Sequence, residues 1–253
     1  IISQGISALL VTSCLMKSDG PCKLVLKELK IDLPTLKDIT LIGLPAGLQS
    51  SLFSISNVII QSSVNSFGDI VMSGNTAASN IDGFINVSEN AIYQAALTFT
   101  GQNFGAKKYK RTKKIMWTCL ASTVVLVSVI SVIIYIFRTQ LLGIYLPDEP
   151  EAISYGAFRM ELVTLFYFVF GANDVLVGQL RGLGKSLYPM LISVFGICGV
   201  RIIWIYTVFK QTHTLEMLYI SYPLSWLVSF LGMLLCYFIV SRKLPADGEV
   251  ANI

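Results

Sequence analysis

Three carboxylates lie inside long apolar stretches of this sequence, at Asp82, Glu89 and Asp174. On insertion scales, a charged side chain at the centre of a membrane helix costs about 2.5–3.5 kcal/mol. Such residues usually face a protein interior or a water-filled cavity, where they carry protons or bind ions. Their positions therefore predict an ion or proton pathway through a membrane protein.

Asp174 is the best candidate for ion coupling, with Asn173 beside it. A carboxylate held away from water can carry a proton, or it can bind Na⁺ together with amide, hydroxyl and backbone oxygens. The alternative interpretation is structural, a salt bridge from Asp174 to Arg181 or to Arg201. The sequence leaves both interpretations open.

Polar residues three or four positions apart predict that two neighbouring helices share a water-accessible interior. The first stripe contains Asn57 and Gln61, and the second contains Asp82, Asn86 and Glu89. This spacing places the members of each stripe on one face of a helix. We expect these side chains to line a cavity for a substrate. The alternative is that they form hydrogen bonds between packed helices.

The composition excludes a soluble domain, because 54% of residues are hydrophobic and only 13% are charged. Soluble domains are about 25% charged. The apolar stretches are too long and too uniform for barrel strands, and each can cross about 30 Å of hydrocarbon as a helix. The sequence predicts an all-α integral membrane protein, with a six-helix transmembrane bundle over 39–241. Its spans are expected at about 39–66, 70–101, 115–137, 152–180, 187–209 and 217–241.

Three segments fall outside this bundle. The apolar segment 1–16 begins with Ile and is expected to be the end of a truncated transmembrane helix. Segment 17–38 alternates apolar residues with Lys and Glu, which predicts an amphipathic cytoplasmic linker. Thr35 and Asp38 are expected to cap the helix that follows. Residues 242–253 are expected to form a cytoplasmic tail.

Most Lys and Arg residues lie in alternate loops, above all in the run KKYKRTKK at 107–114. Basic loops stay on the cytoplasmic side, so this distribution predicts a multi-pass protein of the cell membrane with a cytoplasmic C-terminus. The short run 107–114 is expected to anchor this topology beside anionic lipid and not to bind nucleic acid.

The sequence predicts no enzyme, no metal site and no cofactor other than a coupling ion. Its five cysteines are scattered, it has one histidine, and it contains neither HExxH nor GxSxG. The stretch GLGKS is not a phosphate-binding loop, because Gln179 stands where that loop requires glycine.

Glycine pairs at four-residue spacing predict close approach between helices or tight turns. Gln102 and Asn103, which lie within one of these pairs, are expected to satisfy free carbonyl groups at a helix end. The pairs are Gly43 with Gly47, Gly101 with Gly105, and Gly178 with Gly182.

Four stretches resemble the C-terminal half of the multidrug and toxic compound extrusion (MATE) family. They are GLPAGLQSSLFSISNVIIQSSVNSFG, LTFTGQNFGAKKYKR, DVLVGQLRGLGKSLYPM and GICGVRIIW, in the order and spacing of that family. The resemblance covers about 36 to 242. It makes the six spans similar to helices seven to twelve of a twelve-helix transporter.

The resemblance implies two six-helix lobes that face each other across a central cavity. It implies a secondary antiporter that exports organic, often cationic and amphiphilic compounds in exchange for Na⁺ or H⁺ by alternating access. The implied partners are membrane lipids, small organic substrates and an N-terminal lobe missing from this sequence. The alternative function is a flippase of lipid-linked sugars, which a more strongly cationic cavity would favour.

The resemblance also extends to single positions. Asp174 matches a position that is commonly acidic in the subgroup this chain most resembles. Arg181, Gly182 and Gly184 match the RGxG turn of that subgroup, and Arg201 matches its intramembrane arginine. Some members carry an acidic residue in the seventh helix, whereas the corresponding stretch here, QSSLFSISN, has none.

Overall fold

The computed structural model describes residues 2–18 and 23–249, which form two units, Ile1–Thr40 and Leu41–Ile253. The first unit contains helix α1 (Ile2–Lys17) and a short 3₁₀ turn (Leu26–Glu28) within the predicted linker. Cys22 lies outside the described residues, as do 250–253 of the predicted tail.

Helix α2 (Leu33–Asn65) begins six residues before the predicted span. Asp32 caps the start of this helix. Its Oδ2 accepts a hydrogen bond from the Thr35 backbone N–H at 3.0 Å and another from the Thr35 hydroxyl. The prediction of Thr35 as the cap was therefore wrong, because a carboxylate three residues earlier accepts from its N–H. The side chain of Asp38 lies outside the described part.

The second unit is a bundle of long helices and confirms the predicted all-α architecture. Among the described residues of the whole chain, five helical segments are long and apolar enough to cross a membrane, namely Leu33–Asn65, Tyr109–Ile136, Pro150–Gly182, Leu187–Thr212 and Leu215–Arg242. The remaining predicted span, the second in chain order at about 70–101, corresponds to α3 (Asp69–Gly105), which is 37 residues long. Its polar residues make it less apolar than the others, and it packs at the centre against the helices that follow.

Irregular turns interrupt two of these segments, where the sequence predicted continuous helices, and a predicted loop contains an additional helix. After α4 (Tyr109–Ile136), an extra short helix α5 (Arg138–Tyr145) occupies what was predicted as a loop. The next span is α6 (Pro150–Val163), a 3₁₀ turn (Thr164–Phe166) and α7 (Tyr167–Gly182). The fifth span contains α8 (Leu187–Ser193), α9 (Val200–Trp204) and α10 (Lys210–Thr212), separated by π turns at Val194–Gly199 and Ile205–Phe209. The last is α11 (Leu215–Arg242).

Glycines determine how closely α7 approaches α3. A Cβ on Gly178 would lie 2.9 Å from the Tyr93 carbonyl oxygen, and one on Gly182 would lie 2.8 Å from that of Leu97. Gly178 and Gly182 therefore allow the close helix approach that their four-residue spacing predicted. No described atom outside the local backbone lies within 4 Å of a Cβ built on Gly43, Gly47 or Gly105, and one on Gly101 meets only Gly182 O, at 3.8 Å.

The turn after α3 does not depend on its glycines. Gly101 and Gly105 are helical, and the left-handed residue is Lys107, with φ of 57°. Asn103 Nδ2 donates to the Phe99 carbonyl at 2.8 Å, while Gln102 is exposed and makes no side-chain hydrogen bond to a described residue. In contrast, Gly184 forms the expected turn after α7, with φ of 78°.

The C-terminal tail packs on the basic loop between α3 and α4. Asp247 Oδ1 accepts a hydrogen bond from the Lys110 backbone N–H at 2.9 Å. This bond satisfies one of the N–H groups that have no partner within the first turn of α4. The Tyr109 hydroxyl donates to the Glu249 carbonyl at 2.8 Å, and the Gly248 N–H donates to the Lys107 carbonyl at 3.0 Å. The tail and the basic loop therefore lie at the same end of the bundle.

Candidate functional site

Asp82 forms a buried ion pair inside the bundle. Its Oδ2 lies 2.6 Å from Arg159 Nη1 on α6, and its Oδ1 accepts from the Thr164 hydroxyl at 3.0 Å. Asp82 is only 1% exposed. The prediction that Asp82 lines a water-accessible cavity was wrong, because an arginine 77 residues later in the chain neutralises it within the core.

Glu89 is also buried, at 2% exposure, but neither carboxylate oxygen has a hydrogen-bond partner among the described residues. Its side chain extends from α3 toward α4 and α7. Gly171 makes room for it, since a Cβ there would lie 3.1 Å from Glu89 Oε1 and 2.7 Å from Thr123 Cγ2. The Thr123 hydroxyl is unpartnered as well. A carboxylate in such a place must be neutralised by a proton or a cation.

Asp174 lies one turn beyond Gly171 on α7, the residue against which the Glu89 side chain packs. It is partly exposed, and its Oδ1 accepts from Asn173 Nδ2 at 3.5 Å. Asn173 is buried, and its Oδ1 accepts from the Ser229 hydroxyl on α11 at 2.9 Å. Asn173 therefore joins Asp174 to a neighbouring helix.

The salt bridges considered for Asp174 are not made. Arg181 donates to the Tyr93 hydroxyl at 2.7 Å and to Gln49 Oε1 at 2.8 Å. Arg201 also bonds to neutral groups. In the described part of the chain, the ion pairs are Arg138 with Glu161 and Arg159 with Asp82. Glu89 and Asp174 thus form a pair of neighbouring carboxylates without a basic partner there.

A cavity of about 190 Å³ is lined by two of the predicted cavity residues, Asn57 and Asn86, and also by Arg201, which the resemblance had matched only to an intramembrane arginine. We call it the aromatic cavity, because five of its ten lining residues are aromatic. It is lined by Phe53, Ser56, Asn57, Asn86, Tyr167, Phe170, Ile197, Arg201, Tyr222 and Trp226.

The other predicted cavity residues lie elsewhere. Gln61 bonds to two asparagines, donating to Asn65 Oδ1 at 3.0 Å and accepting from Asn75 Nδ2 at 3.3 Å. Asp82 and Glu89 point into the core of the bundle. The polar residues Asp82, Asn86 and Glu89 of α3 were expected to line one cavity together. They do not, because α3 is surrounded by other helices and its different faces contact different neighbours.

Arg201 is held at the edge of the aromatic cavity by neutral partners. Its Nε donates to the Ser225 hydroxyl at 3.0 Å, and its Nη1 donates to Asn57 Oδ1 at 3.3 Å. The guanidinium lies over the ring of Tyr222, 4.4 Å from the ring centre. Arg201 stands on α9 immediately after a π turn, and such turns are frequent at functional sites.

Sequence reasoning missed the aromatic walls of this cavity. Trp226 lies 5.0 Å from Tyr167, 5.2 Å from Phe170 and 5.9 Å from Tyr222, measured between ring centres. Aromatic residues are frequent in membrane helices, and nothing in their spacing marked these four as neighbours.

Sequence reasoning also missed a buried glutamine that joins three helices. Gln179 on α7 accepts from the Thr100 hydroxyl on α3 at 2.5 Å and donates to the Thr112 carbonyl on α4 at 2.9 Å. Its side chain is fully buried. A lone glutamine in an apolar run was the available signal for such a contact.

Comparison with solved structures shows which known fold this chain is similar to. A Pyrococcus furiosus transporter of the MOP superfamily, described as having a binding pocket of reversed polarity, superimposes with a TM-score of 0.87 and 16% identity, covering 96% of this chain and 55% of its own. This likeness shows the fold alone.

The family follows from the sequence matches. The MatE family model matches residues 45–207, so the chain belongs to the MatE family. Among its relatives in Bacillus subtilis, the probable multidrug resistance protein YoeA is 27% identical over 87% of this chain and 48% of its own length. The probable multidrug resistance protein YpnP is 30% identical over 63% of the chain and 36% of its own length. The chain thus spans half or less of the length of these relatives.

Proposed function

We propose that this chain forms one lobe of a secondary antiporter that exports amphiphilic organic compounds in exchange for H⁺ or Na⁺ by alternating access. The observation that carries the proposal is the pair Glu89 and Asp174. Both carboxylates lie in membrane-embedded helices without a basic partner among the described residues, whereas Asp82 nearby has one. A pair left in this state requires an exchangeable cation.

The two carboxylates suit different steps. Asp174 is partly exposed, so a proton or Na⁺ from the aqueous phase can reach it. Asn173 bonds both to Asp174 and to Ser229 on α11, so a change in the charge of Asp174 can affect α11. Glu89 lies deeper, against Gly171 on the same helix as Asp174. Adding or removing a cation here would alter the electrostatics of the contact between α3 and α7, which is the kind of change that can shift a transporter between two states.

The multidrug resistance names of the relatives support organic compounds as substrates. The complete cavity would need a second lobe, since the chain covers about half of the structures it resembles. We propose the cell membrane as the location, with the tail and the basic loop 107–114 in the cytoplasm, because these segments share one end of the bundle and basic loops face that side.

A flippase of lipid-linked sugars is the second candidate. One observation favours it: among the residues that line the aromatic cavity, the charged side chain is an arginine. Lipid-linked sugars carry phosphate groups, which a buried arginine would bind. The two candidates differ in whether the transported compound must carry a lipid.

The test uses the protein in the full length that its reading frame encodes, reconstituted in vesicles with an imposed H⁺ or Na⁺ gradient and a fluorescent amphiphile. We expect gradient-driven flux in the wild type. In Asp174→Asn, we expect flux to fall to the level seen without a gradient while binding of the amphiphile persists. Asp148→Asn, in an exposed loop, is the matched control and should behave as wild type.

Two outcomes would contradict the proposal. If Asp174→Asn retained gradient-driven flux at wild-type protein levels, Asp174 would not be the coupling residue. If neither gradient drove flux of any amphiphile in the wild type, while lipid-linked sugars did cross the membrane, the flippase would replace the antiporter.

A further inference from the structure

We propose that the aromatic cavity binds aromatic compounds that carry an anionic group, and that Arg201 receives the anion. This inference rests on the proposed transport function, because it names the charge class of the compounds that enter this lobe. It begins from a difference between two buried arginines that contact the same tyrosine ring.

Arg159 and Arg201 both contact Tyr222, with guanidinium carbons 5.9 Å and 4.4 Å from its ring centre. Arg159 has a counter-ion, Asp82, at 2.6 Å. Arg201 is only 5% exposed and has no carboxylate within 4.0 Å among the side chains that the structure describes. A buried charge without a counter-ion is costly, so an anion that reached Arg201 would relieve that cost.

The guanidinium of Arg201 retains unused hydrogen-bonding capacity toward the aromatic cavity. Arginine has five N–H donors, and here Nε and Nη1 each donate once, to Ser225 and Asn57. No described residue accepts from Nη2. Because Arg201 itself lines the cavity, its free donors can bind carboxylate, sulfonate or phosphate oxygens of a ligand there.

The walls favour an aromatic body on that anion. Trp226 packs at tilted angles against Tyr167 and Phe170, whose own rings meet edge to face, so the three rings form an apolar aromatic wall. The volume of about 190 Å³ suits one ring system and its head group in this lobe. An organic cation would meet the charge of Arg201, and no carboxylate lines the cavity to compensate among the described residues.

The test compares two probes of the same shape and opposite charge, naphthalene-2-sulfonate and 2-naphthyltrimethylammonium. Binding to the full-length protein in detergent is measured by quenching of tryptophan fluorescence, at constant ionic strength. Trp226→Phe identifies the part of the signal that comes from the cavity. We expect the sulfonate to bind at least about 10-fold more tightly, as for a charge-assisted hydrogen bond.

Asn57→Asp is the decisive variant, because it keeps nearly the same volume and places a carboxylate beside Arg201 Nη1. We expect sulfonate affinity to fall about 10–100-fold and the preference for the anion to disappear. Arg201→Gln should have the same effect. Asn80→Asp, the same change at an exposed position of α3, is the control and should bind as wild type. The inference would be overturned if the wild type bound the ammonium probe as tightly as the sulfonate or more tightly. It would also be overturned if Asn57→Asp left the sulfonate affinity unchanged.

Flux measurements separate failure of this inference from failure of the proposed function. If the sulfonate binds through Arg201 but no gradient drives either probe across vesicles, the antiport proposal fails and the anion site stands. If a gradient drives the ammonium probe alone, antiport stands and the anion site fails.

Discussion

The ion pair between Asp82 and Arg159 allows a quantitative test of what holds this bundle together. The pair is short, at 2.6 Å, and its side chains are 1% and 4% exposed. Replacing Arg159 by Met leaves the Asp82 carboxylate uncompensated in the core, which costs about 3–5 kcal/mol. For a chain of this size, that loss corresponds to a melting temperature lower by roughly 6–20 °C.

The double variant Asp82→Asn with Arg159→Met should recover most of this loss. It removes both charges, and the amide oxygen introduced at position 82 could still accept the hydrogen bond from Thr164 that now reaches Asp82 Oδ1 at 3.0 Å. Replacing a buried pair by neutral groups is often close to neutral, because the desolvation of both charges is avoided. The assay is thermal unfolding in one detergent for wild type, both single variants and the double variant.

A matched pair in the same protein supplies the control. Arg138 and Glu161 lie at a similar separation, 2.8 Å, but their side chains are 26% and 44% exposed. Arg138→Met should therefore cost only about 0–1 kcal/mol. The reasoning is refuted if Arg159→Met and Arg138→Met have equal effects, or if the double variant is as unstable as the less stable single variant.

Two further predictions concern packing and capping. Gly182→Val should destabilise the bundle by about 1–3 kcal/mol, because its Cβ would lie 2.8 Å from the Leu97 carbonyl oxygen. Gly105→Ala should change the melting temperature little, because no described atom outside the local backbone lies within 4 Å of the added Cβ. Asp247→Ala should cost about 1 kcal/mol and increase proteolysis of the tail, because Lys110 N–H loses its acceptor; unchanged cleavage would show that the tail is held by other contacts.

Much of the fold could be predicted because it depends on local composition. Membrane spans require about 20 apolar residues, and such runs can be counted directly. The extra helix α5 and the breaks at Thr164–Phe166 and Val194–Gly199 could not be predicted, since they depend on how neighbouring helices pack. Gly196 illustrates this, because its Cβ would lie 2.9 Å from Ser229 Cα on α11.

For the candidate site, the sequence by itself determined which residues are costly to insert into a membrane, since the insertion cost follows from residue type and depth. It therefore selected Asp82, Glu89 and Asp174 together and placed Asp174 first, but it could not show which of the three has a basic partner. Only the tertiary structure decided that Asp82 is neutralised by Arg159, while Glu89 and Asp174 lack a basic partner in the described part. The physical reason is that a charge's energy in a low-dielectric interior depends on the groups within a few ångströms of it, and those groups come from distant positions in the chain.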